Sequence, residues 1–309
     1  MLNRYIFFTL SITFSIISAQ PTFTEHVVSN SADGATFIYA LDMDGDGDMD
    51  VLSASREDDK IVWYENDGTN NFTEYAITTS ADGARSVYAL DIDGDGDMDV
   101  LSASREDDKI AWYENDGSEN FTEHVISTTA DNAFSVYAAD VNSDGFIDVL
   151  SASRDDNKIA WYQNDGSENF TEIVISTAAV HAISVFATDV DDDGDIDVLS
   201  ASNADDKIAW YQNDGNQNFT EYVISTTADA ANSVYATDVD GDGDVDVLSA
   251  SYDDGKIAWY ENDGSENFIE NAISTTASGA RSVYASDMDY DGDLDILSAS
   301  FGKDRKSVV

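Results

Sequence analysis

The stretch DMDGDGDMD at residues 42–50 recurs five more times, starting at Asp91, Asp140, Asp189, Asp238 and Asp287, with a constant step of 49 residues. Positions 1, 3, 5 and 9 of each copy carry a carboxylate, with a single asparagine as the exception, and such side chains repel one another in an empty loop. A hard divalent cation removes the repulsion, and Ca²⁺ accepts roughly six to eight oxygen ligands in a flexible geometry. Position 6 is always glycine, which suits a sharp turn with positive φ. The repeat therefore predicts six Ca²⁺ loops. Their predicted side-chain ligands are Asp42, Asp44, Asp46 and Asp50; Asp91, Asp93, Asp95 and Asp99; Asp140, Asn142, Asp144 and Asp148; Asp189, Asp191, Asp193 and Asp197; Asp238, Asp240, Asp242 and Asp246; and Asp287, Asp289, Asp291 and Asp295.

The flanks of the loop distinguish a β-hairpin from an EF-hand, which begins with a similar pattern. An EF-hand has a helix on each side and a bidentate glutamate at loop position 12, whereas position 12 is serine in every copy here. The segments SVYA at 86–89 and VLSAS at 100–104 have the composition of short strands. We therefore favour a Ca²⁺ loop at a hairpin tip, with the aspartate at position 9 closing the shell. A solvated acidic turn that binds no ion is the alternative, and six copies with the same oxygen-bearing positions disfavour it.

The composition excludes several classes of function. The 309 residues include 63 acidic and 14 basic side chains, and the formal net charge is −49. Such a surface repels phosphate backbones and anionic membranes, so nucleic acid is not expected as a partner. The chain has no cysteine, which removes disulfides, thiolate metal sites and cysteine nucleophiles. Because 42% of the residues are hydrophobic and recur in a regular array, we expect a folded protein rather than a disordered one.

Residues 1–19 have the pattern of a secretory signal peptide. Arg4 supplies a positive charge, an apolar run follows from residue 5 to residue 17, and Ser18 and Ala19 end it with small side chains. The apolar run is too short and too one-sided for a spanning helix, so no membrane span is predicted. We expect a secreted or cell-surface protein, where calcium is abundant enough for extracellular sites with a Kd of roughly 10⁻⁴–10⁻³ M.

The 49-residue unit contains four predicted strands, which in the second unit are Ser86–Asp91, Asp99–Ser104, Lys109–Glu114 and Phe121–Ser127. A unit of this size with four short strands is typical of a β-propeller blade, and blades bury their faces against one another. We therefore predict an all-β fold over residues 20–301, a propeller of six four-stranded blades that could be part of seven. A β-helix is the rival architecture, but its turns are far shorter than 49 residues.

The tryptophans identify the predicted contact between blades. All of them lie on the third strand, 49 residues apart, between aliphatic residues and a tyrosine. We interpret them as core residues between blades rather than as a sugar-stacking surface. They are Trp63, Trp112, Trp161, Trp210 and Trp259.

The two ends of the repeat array are incomplete. The segment Phe23–Val28 matches a fourth strand without the first three, and Asp295–Ser300 matches a second strand without the third. If the ring closes, the N-terminal strand is expected to complete the last blade and to cover a sheet edge. The repeat stops after Phe301, and we interpret residues 302–309 as an artefactual tail on a truncated gene model.

The motif SVYALDIDGDGDMDVLSAS at 86–104, followed by IAWYENDG at 110–117, resembles the FG-GAP/VCBS repeat family, whose seven-bladed propellers are related to the head of the integrin α-subunit. The resemblance covers residues 23–301. It implies Ca²⁺ ligands at positions 1, 3, 5 and 9 and at the backbone carbonyl of position 7. The third loop departs most from the pattern, with Asn142 and Phe146, and we expect it to bind more weakly because it carries less negative charge. The position-7 residues are Asp48, Asp97, Phe146, Asp195, Asp244 and Asp293.

The resemblance implies a scaffold for adhesion, polysaccharide contact or ligand display, and no catalytic group stands out. His26 and His124 share a repeat position that elsewhere holds Tyr, Ile or Asn, and His181 lies in a variable link. We therefore expect no enzyme, although a polysaccharide-active enzyme or a lectin module is the alternative. The rim opposite the Ca²⁺ loops varies most between units, so we expect a protein or glycan ligand there; a merely solvated rim is the other interpretation. The varying residues are Arg56, Arg105, Arg154, Asn203 and Tyr252, with Arg85, Phe134, His181, Ala230 and Arg281.

Overall fold

The structure is a computed structural model that describes residues 26–301. These residues form 22 strands in five four-stranded antiparallel sheets and one two-stranded sheet. Each sheet follows chain order, so every connection is a hairpin or a short link. The predicted signal peptide at 1–19 and the tail at 302–309 lie outside the described residues.

The strands recur with the same spacing as the sequence motif. The first two sheets are β1 (Ala35–Leu41), β2 (Asp50–Ser55), β3 (Lys60–Asn66) and β4 (Phe72–Thr78), then β5 (Ala84–Leu90), β6 (Asp99–Ser104), β7 (Lys109–Asn115) and β8 (Phe121–Ser127). The next two are β9 (Ala133–Ala139), β10 (Asp148–Ser153), β11 (Lys158–Asn164) and β12 (Phe170–Ser176), then β13 (Ala182–Thr188), β14 (Asp197–Ser202), β15 (Lys207–Asn213) and β16 (Phe219–Ser225). The last two are β17 (Ala231–Thr237), β18 (Asp246–Ser251), β19 (Lys256–Asn262) and β20 (Phe268–Ser274), then β21 (Ala280–Ser286) and β22 (Asp295–Ser300).

The prediction of four strands per unit is confirmed, with small shifts at the ends. In the second unit, β5 begins two residues earlier than predicted and ends one residue earlier, and β7 extends one residue further. The early start of β5 includes an irregularity between Ala84 and Ser86 in the pairing with β6, which the alternation of side chains does not indicate. The acidic loops join the first and second strands of each sheet, so strands rather than helices flank them and the EF-hand alternative is wrong.

Neighbouring sheets pack face to face, and this packing buries the core. Between the second and third sheets, Leu101 and Trp112 meet Val149 and Tyr162 of the following unit. The same arrangement recurs at the other contacts between four-stranded sheets, and at the contact with the two-stranded sheet Leu248 packs in one core with Ile296. The tryptophans are therefore core residues, as predicted: four of them are at most 1% exposed, and Trp259, beside the two-stranded sheet, is partly buried.

The first strand of each sheet carries an aromatic residue that contacts its counterpart in the next sheet. The ring centroids of Tyr39 and Tyr88 lie 4.9 Å apart, and the row continues at 4.7–4.9 Å through Tyr137, Phe186, Tyr235 and Tyr284. Burial raises the pKa of Tyr39, and Tyr88 and Tyr284 raise it further. The row therefore connects the first strands of all six sheets.

The predicted N-terminal strand Phe23–Val28 lies only partly within the described residues. Residues 26–28 are not in a strand, so the prediction is wrong for these three residues. The physical reason is the lack of a hydrogen-bonding neighbour, because the last sheet contains only β21 and β22 in the described chain and a fourth strand would need a third. None of the residues that the structure describes forms a helix long and apolar enough to cross a membrane.

We predict that Trp112→Ala lowers the free energy of unfolding by roughly 3–5 kcal/mol, because it opens a cavity between two sheets. Trp259→Ala is the matched control, since Trp259 has the same repeat position but is only partly buried. Trp259→Ala should lower the free energy of unfolding by less than Trp112→Ala. Urea unfolding followed by circular dichroism measures both, and equal losses would contradict the assignment of the core.

Candidate functional site

The acidic loop is organised by hydrogen bonds from its own backbone. The N–H of Gly47 donates to Oδ2 of Asp42 over 3.0 Å, and the corresponding bond is 2.9–3.1 Å in the other loops. Gly47 has a φ of 94°, while a Cβ placed on it would meet nothing within 4 Å. The glycine at position 6 is therefore required by the backbone conformation and not by lack of space. In the first loop the other oxygen, Oδ1 of Asp42, accepts no hydrogen bond within the described chain, whereas in the other five loops Oδ1 of the first aspartate also accepts an N–H of the loop.

The aspartate at position 9 ties the loop to the end of the third strand. In the second unit, Asp99 is fully buried and accepts the N–H of Ile92 at 3.0 Å and that of Asn115 at 2.8 Å. Burial raises the pKa of Asp99 to about 6, although both N–H donors and the nearby Trp112 indole lower it. Within the described chain, Nε1 of Trp112 has no hydrogen-bond partner. The same burial raises the pKa of Asp197 to about 7. These carboxyl groups occupy sites in which a neighbouring positive charge would favour the ionised form.

The carboxylates of the loops converge in two ways. In the first and sixth loops, positions 1, 3 and 5 offer oxygens within 4.8 Å of one another. In the second, fourth and fifth loops, the converging positions are 1, 3 and 9. Partial burial, and after it the neighbouring carboxylates Asp95 and Asp91, raise the pKa of Asp93 at position 3 of the second loop. The predicted ligands at positions 1 and 3 therefore lie together in five loops, while positions 5 and 9 alternate as the third member.

The third loop is arranged differently because an amide replaces one carboxylate. The Nδ2 of Asn142 donates to Oδ2 of Asp144 over 2.8 Å, and Oδ1 of Asn142 accepts the N–H of Asp144 at 3.2 Å. Both polar atoms of the amide are thus engaged inside the loop. Its position-7 side chain, Phe146, contacts Gly166 in the turn between the third and fourth strands. At the same place in the second loop, the carboxylate of Asp97 faces Gly117. The position-7 side chains therefore lie against the Asn-Asp-Gly turns.

The structure places two sets of loops at opposite ends of the sheets. The acidic loops share one rim with the Asn-Asp-Gly turns, as their contacts show. At the other rim, the turns between the second and third strands meet the links that precede each first strand, because Arg56 N–H donates to Gly34 O at 3.0 Å and Arg105 N–H to Gly83 O at 3.3 Å. This is the distribution predicted from the four-strand unit.

One alignment made from the sequence is wrong. The predicted set aligns His181 and Ala230 with Arg85, but these two residues immediately precede their strands and have φ values of 56° and 54°. The residues in register with Arg85 on the first strands are Phe134, Ile183, Asn232 and Arg281. Variability along the link does not indicate the register, because the pairing of the first and second strands sets it.

The lysine that begins all five third strands of the described chain has a role that was not predicted from the sequence. Lys109 is one-tenth exposed and contacts Asp107 at 3.1 Å, Glu123 at 2.9 Å and the carbonyl oxygen of Ser80 at 3.1 Å. It thereby joins its own sheet to the link that precedes it. A constant lysine in a chain with few basic residues was the signal that could have revealed this role.

The histidine at the variable fourth-strand position has a packing role. His124 stacks on Trp112 with ring centroids 4.6 Å apart, and its Nε2 lies 2.8 Å from Oε2 of Glu114. Tyr75 and Tyr222 stack on their own tryptophans in the same way, at 5.0 and 4.9 Å. A flat ring at this position covers the tryptophan, which explains why both histidine and tyrosine occur there.

Comparisons with known proteins place this architecture among repeat proteins. The profile of the FG-GAP-like repeat matches five overlapping segments, residues 42–102, 91–151, 140–200, 189–249 and 238–298. No curated protein matched the sequence.

Solved structures are similar in fold. A catalytically inactive virginiamycin B lyase from Staphylococcus aureus with quinupristin has a TM-score of 0.61 and 18% identity, over 88% of this chain and 79% of that one. A protein of unknown function from Desulfotomaculum acetoxidans has a TM-score of 0.56 and 10% identity, over 86% of this chain and 83% of that one. At these identities the likeness concerns the fold alone, a β-propeller-like repeat scaffold.

We predict that Asp99→Ala lowers the free energy of unfolding by on the order of 3 kcal/mol even in the presence of a chelator, because it leaves two buried N–H groups without an acceptor. Asp97→Ala removes an equal charge from the same loop, but the Asp97 side chain accepts no hydrogen bond within the described chain, so its effect should stay within about 0.5 kcal/mol. Urea unfolding of both variants measures the difference. Similar losses would mean that loop charge, and not the two hydrogen bonds, determines stability.

Proposed function

The chain belongs to the FG-GAP-like repeat family, and on this premise we propose that it is a secreted, calcium-binding β-propeller that serves as an adhesion or ligand-binding scaffold. The observation that carries the proposal is the convergence of three carboxylates within 4.8 Å in five of the loops. The opposite rim keeps the same backbone contacts but changes its side chains from unit to unit. A constant frame with one variable face is how scaffolds acquire ligands.

The donor set fits Ca²⁺. Every polar side chain in the loops offers oxygen, and the loops contain neither cysteine nor histidine, which matches the preference of hard cations. In addition, Oδ1 of Asp42 and Oδ1 of Asp191 are buried and accept no hydrogen bond within the described chain. Buried oxygens are costly unless a partner satisfies them, and a bound cation would do so. Bound Ca²⁺ would supply positive charge at each hairpin tip, and the residues of the chain orient the oxygens around it.

The repeat supports a propeller of six blades that could be part of seven. Each sheet would be one blade, since consecutive sheets bury each other and the aromatic row of the first strands curves from Tyr39 to Tyr284. In this arrangement the first strands surround a central channel, and the acidic loops and the variable loops form its two mouths. The ligand, a protein or a glycan, would bind at the mouth opposite the acidic loops.

Secretion is part of the proposal and has two supports in the sequence. Residues 1–19 have the pattern of a signal peptide, and the absence of cysteine leaves bound calcium as the available source of added stability. A polysaccharide-active enzyme or a lectin module remains the second candidate. His124 packs against Trp112, and this packing role favours a binding protein over an enzyme.

We predict that calcium raises the melting temperature of the purified chain and that a chelator reverses the effect. At a calcium concentration one hundred times the Kd, each site would contribute roughly 2.7 kcal/mol. Asp144→Ala should reduce the calcium-dependent shift, because it removes a carboxylate from the loop with the least charge. Asp82→Ala is the matched control, as it removes an exposed carboxylate from the opposite rim. Identical melting with and without chelator would overturn the calcium assignment.

A glycan array probed with the labelled chain distinguishes a glycan ligand from a protein ligand. We expect calcium-dependent retention on a subset of glycans if the rim is lectin-like. Retention of a cell-surface protein with an empty array would favour adhesion through protein contacts. Release of reducing sugar from a retained polysaccharide would instead establish an enzyme and contradict the scaffold proposal.

A further inference from the structure

One position of the third strand changes its charge from unit to unit, at the end of the strand that lies beside the acidic loop. The residue before the last is glutamate in the first, second and fifth units and glutamine in the third and fourth. All five side chains are partly buried. They are Glu65, Glu114, Gln163, Gln212 and Glu261.

The backbone holds this position at the same place relative to the loop in every unit. In the second unit the last residue of the strand, Asn115, donates its N–H to Oδ1 of Asp99 at 2.8 Å and its Nδ2 to the carbonyl oxygen of Met98 at 3.1 Å. The two bonds recur in the other four units at 2.7–2.8 and 3.0–3.2 Å. The residue that precedes this asparagine is therefore placed alike in all five units.

The fourth unit shows which loop atom the side chain reaches. Nε2 of Gln212 donates to Oδ2 of Asp191 at 2.5 Å, and Asp191 is the predicted ligand at position 3 of its loop. The other oxygen of this carboxylate, Oδ1, is buried and has no hydrogen-bond partner within the described chain. The glutamine thus orients the carboxylate at position 3 but occupies one of its two oxygens.

A glutamate at the same place brings a negative charge instead of a donor. Partial burial, and after it the carboxylates of Asp46, Asp50 and Glu65, raise the pKa of Asp44 at position 3 of the first loop. Glu114 contributes in the same direction to the pKa of Asp93, after burial and the carboxylates of its own loop. These glutamates add to the repulsion in a loop without a cation, and a bound divalent cation would turn that repulsion into attraction.

A donor on the fourth strand holds two of the glutamates. Nε2 of His124 lies 2.8 Å from Oε2 of Glu114, and since an ionised carboxylate only accepts, the imidazole is the donor. In the fifth unit, Nδ2 of Asn271 donates to Oε2 of Glu261 at 3.1 Å. Each carboxylate is thereby restrained at one oxygen, while the other oxygen is not used by this bond.

The same repeat position of the fourth strand differs where the third strand carries glutamine. In the first unit, which has a glutamate, a hydrogen bond with Glu65 and then burial raise the pKa of Tyr75. In the third unit the position holds Ile173, which has no polar side-chain atom, and in the fourth the amide of Gln212 binds the loop itself. A donor on the fourth strand therefore accompanies each glutamate.

We propose that the residue before the last of each third strand sets the calcium affinity of its loop, so that glutamate marks the stronger sites and glutamine the weaker ones. The inference deepens the proposed function and rests on it, since it ranks the loops as calcium sites. The glutamate acts as a positioned charge outside the predicted ligand set, and the affinity of such sites depends on the negative charge around the ion. The first, second and fifth loops are the stronger sites, the fourth is weaker, and the third is the weakest because Asn142 also replaces a carboxylate there.

The expected size of the effect is moderate. The glutamates are partly exposed, and salt screens their attraction for the ion over a distance of about 8 Å. Each glutamate should therefore strengthen its loop roughly tenfold, which corresponds to about 1.4 kcal/mol.

The experiment is a calcium titration of the purified chain, with its glycines labelled with the NMR-active nitrogen isotope. The N–H of the glycine at position 6 donates to the first aspartate of its own loop, so its signal reports on that loop alone. We expect the first, second and fifth loops to respond at the lowest calcium concentration, then the fourth, and the third last. The reporter glycines are Gly47, Gly96, Gly145, Gly194 and Gly243.

Two reciprocal substitutions test the role of the charge. Glu114→Gln should raise the calcium midpoint of Gly96 roughly tenfold and leave that of Gly194 unchanged, whereas Gln212→Glu should lower the midpoint of Gly194 by a similar factor. Glu119→Gln is the matched control, because it removes an equal charge from an exposed turn of the second unit at the same rim. It should shift the midpoint of Gly96 by less than about twofold.

The donor on the fourth strand is tested separately. His124→Phe keeps a flat ring on Trp112 but removes the hydrogen bond to Glu114, so it should raise the midpoint of Gly96 by part of the effect of Glu114→Gln. His124→Tyr should restore the midpoint, since Tyr75 bonds the corresponding glutamate in the first unit. Melting curves recorded without calcium check that these variants keep the stability of the fold.

The outcomes separate this inference from the calcium proposal on which it rests. Unchanged midpoints in both Glu114→Gln and Gln212→Glu, with calcium still shifting the glycine signals, would overturn only the inference. An equal effect of Glu119→Gln would also overturn it, because overall charge and not the position of the glutamate would then set the affinity. If calcium shifts no reporter glycine in the unsubstituted chain, the calcium scaffold itself is refuted.

Discussion

The structure depends on one buried carboxylate in each of the five four-stranded units, the aspartate at the end of the acidic loop. Asp99 accepts an N–H from the start of its own loop and another from the end of the third strand, so three chain segments meet at one side chain. The corresponding residues Asp50, Asp148, Asp197 and Asp246 make the same two contacts. Removing a carboxylate from water costs free energy, and these hydrogen bonds compensate part of that cost. The hairpin tip is thereby fixed to the body of the sheet.

Fixing the tips has a consequence for packing. The tryptophan of the third strand lies near this aspartate, and its ring fills the space between one sheet and the next. Because the units are identical in length, every sheet presents the same pair of faces and each contact repeats the previous one. Stability in such arrays is approximately a sum of unit and interface contributions. The lysine that begins the third strand adds a connection between each sheet and the preceding link.

The clustered carboxylates and the arginines lie at opposite rims of the molecule. Carboxylates crowd one rim, where five loops bring three of them within 4.8 Å, and the arginines gather at the other. Local ion pairs neutralise Arg56, Arg105 and Arg154, whereas aromatic rings support Arg85 and Arg281. The result is a strongly acidic protein whose arginines are confined to one rim.

Much of this architecture could be predicted from the amino-acid sequence. The strands, the hairpin position of the acidic loops, the two rims and the burial of the tryptophans all follow from a repeat without insertions, since alternation and turn residues act over a few neighbours in the chain. The tertiary structure alone decided which carboxylates converge, for example Asp46 in the first loop but Asp99 in the second. It also decided that Arg85 stacks on Phe134 of the next sheet and that residues 26–28 form no strand. The contact of Arg85 depends on a distance between two units, and the choice of the third carboxylate depends on the exact backbone of each loop. A motif that is nearly the same in every copy carries no information about either.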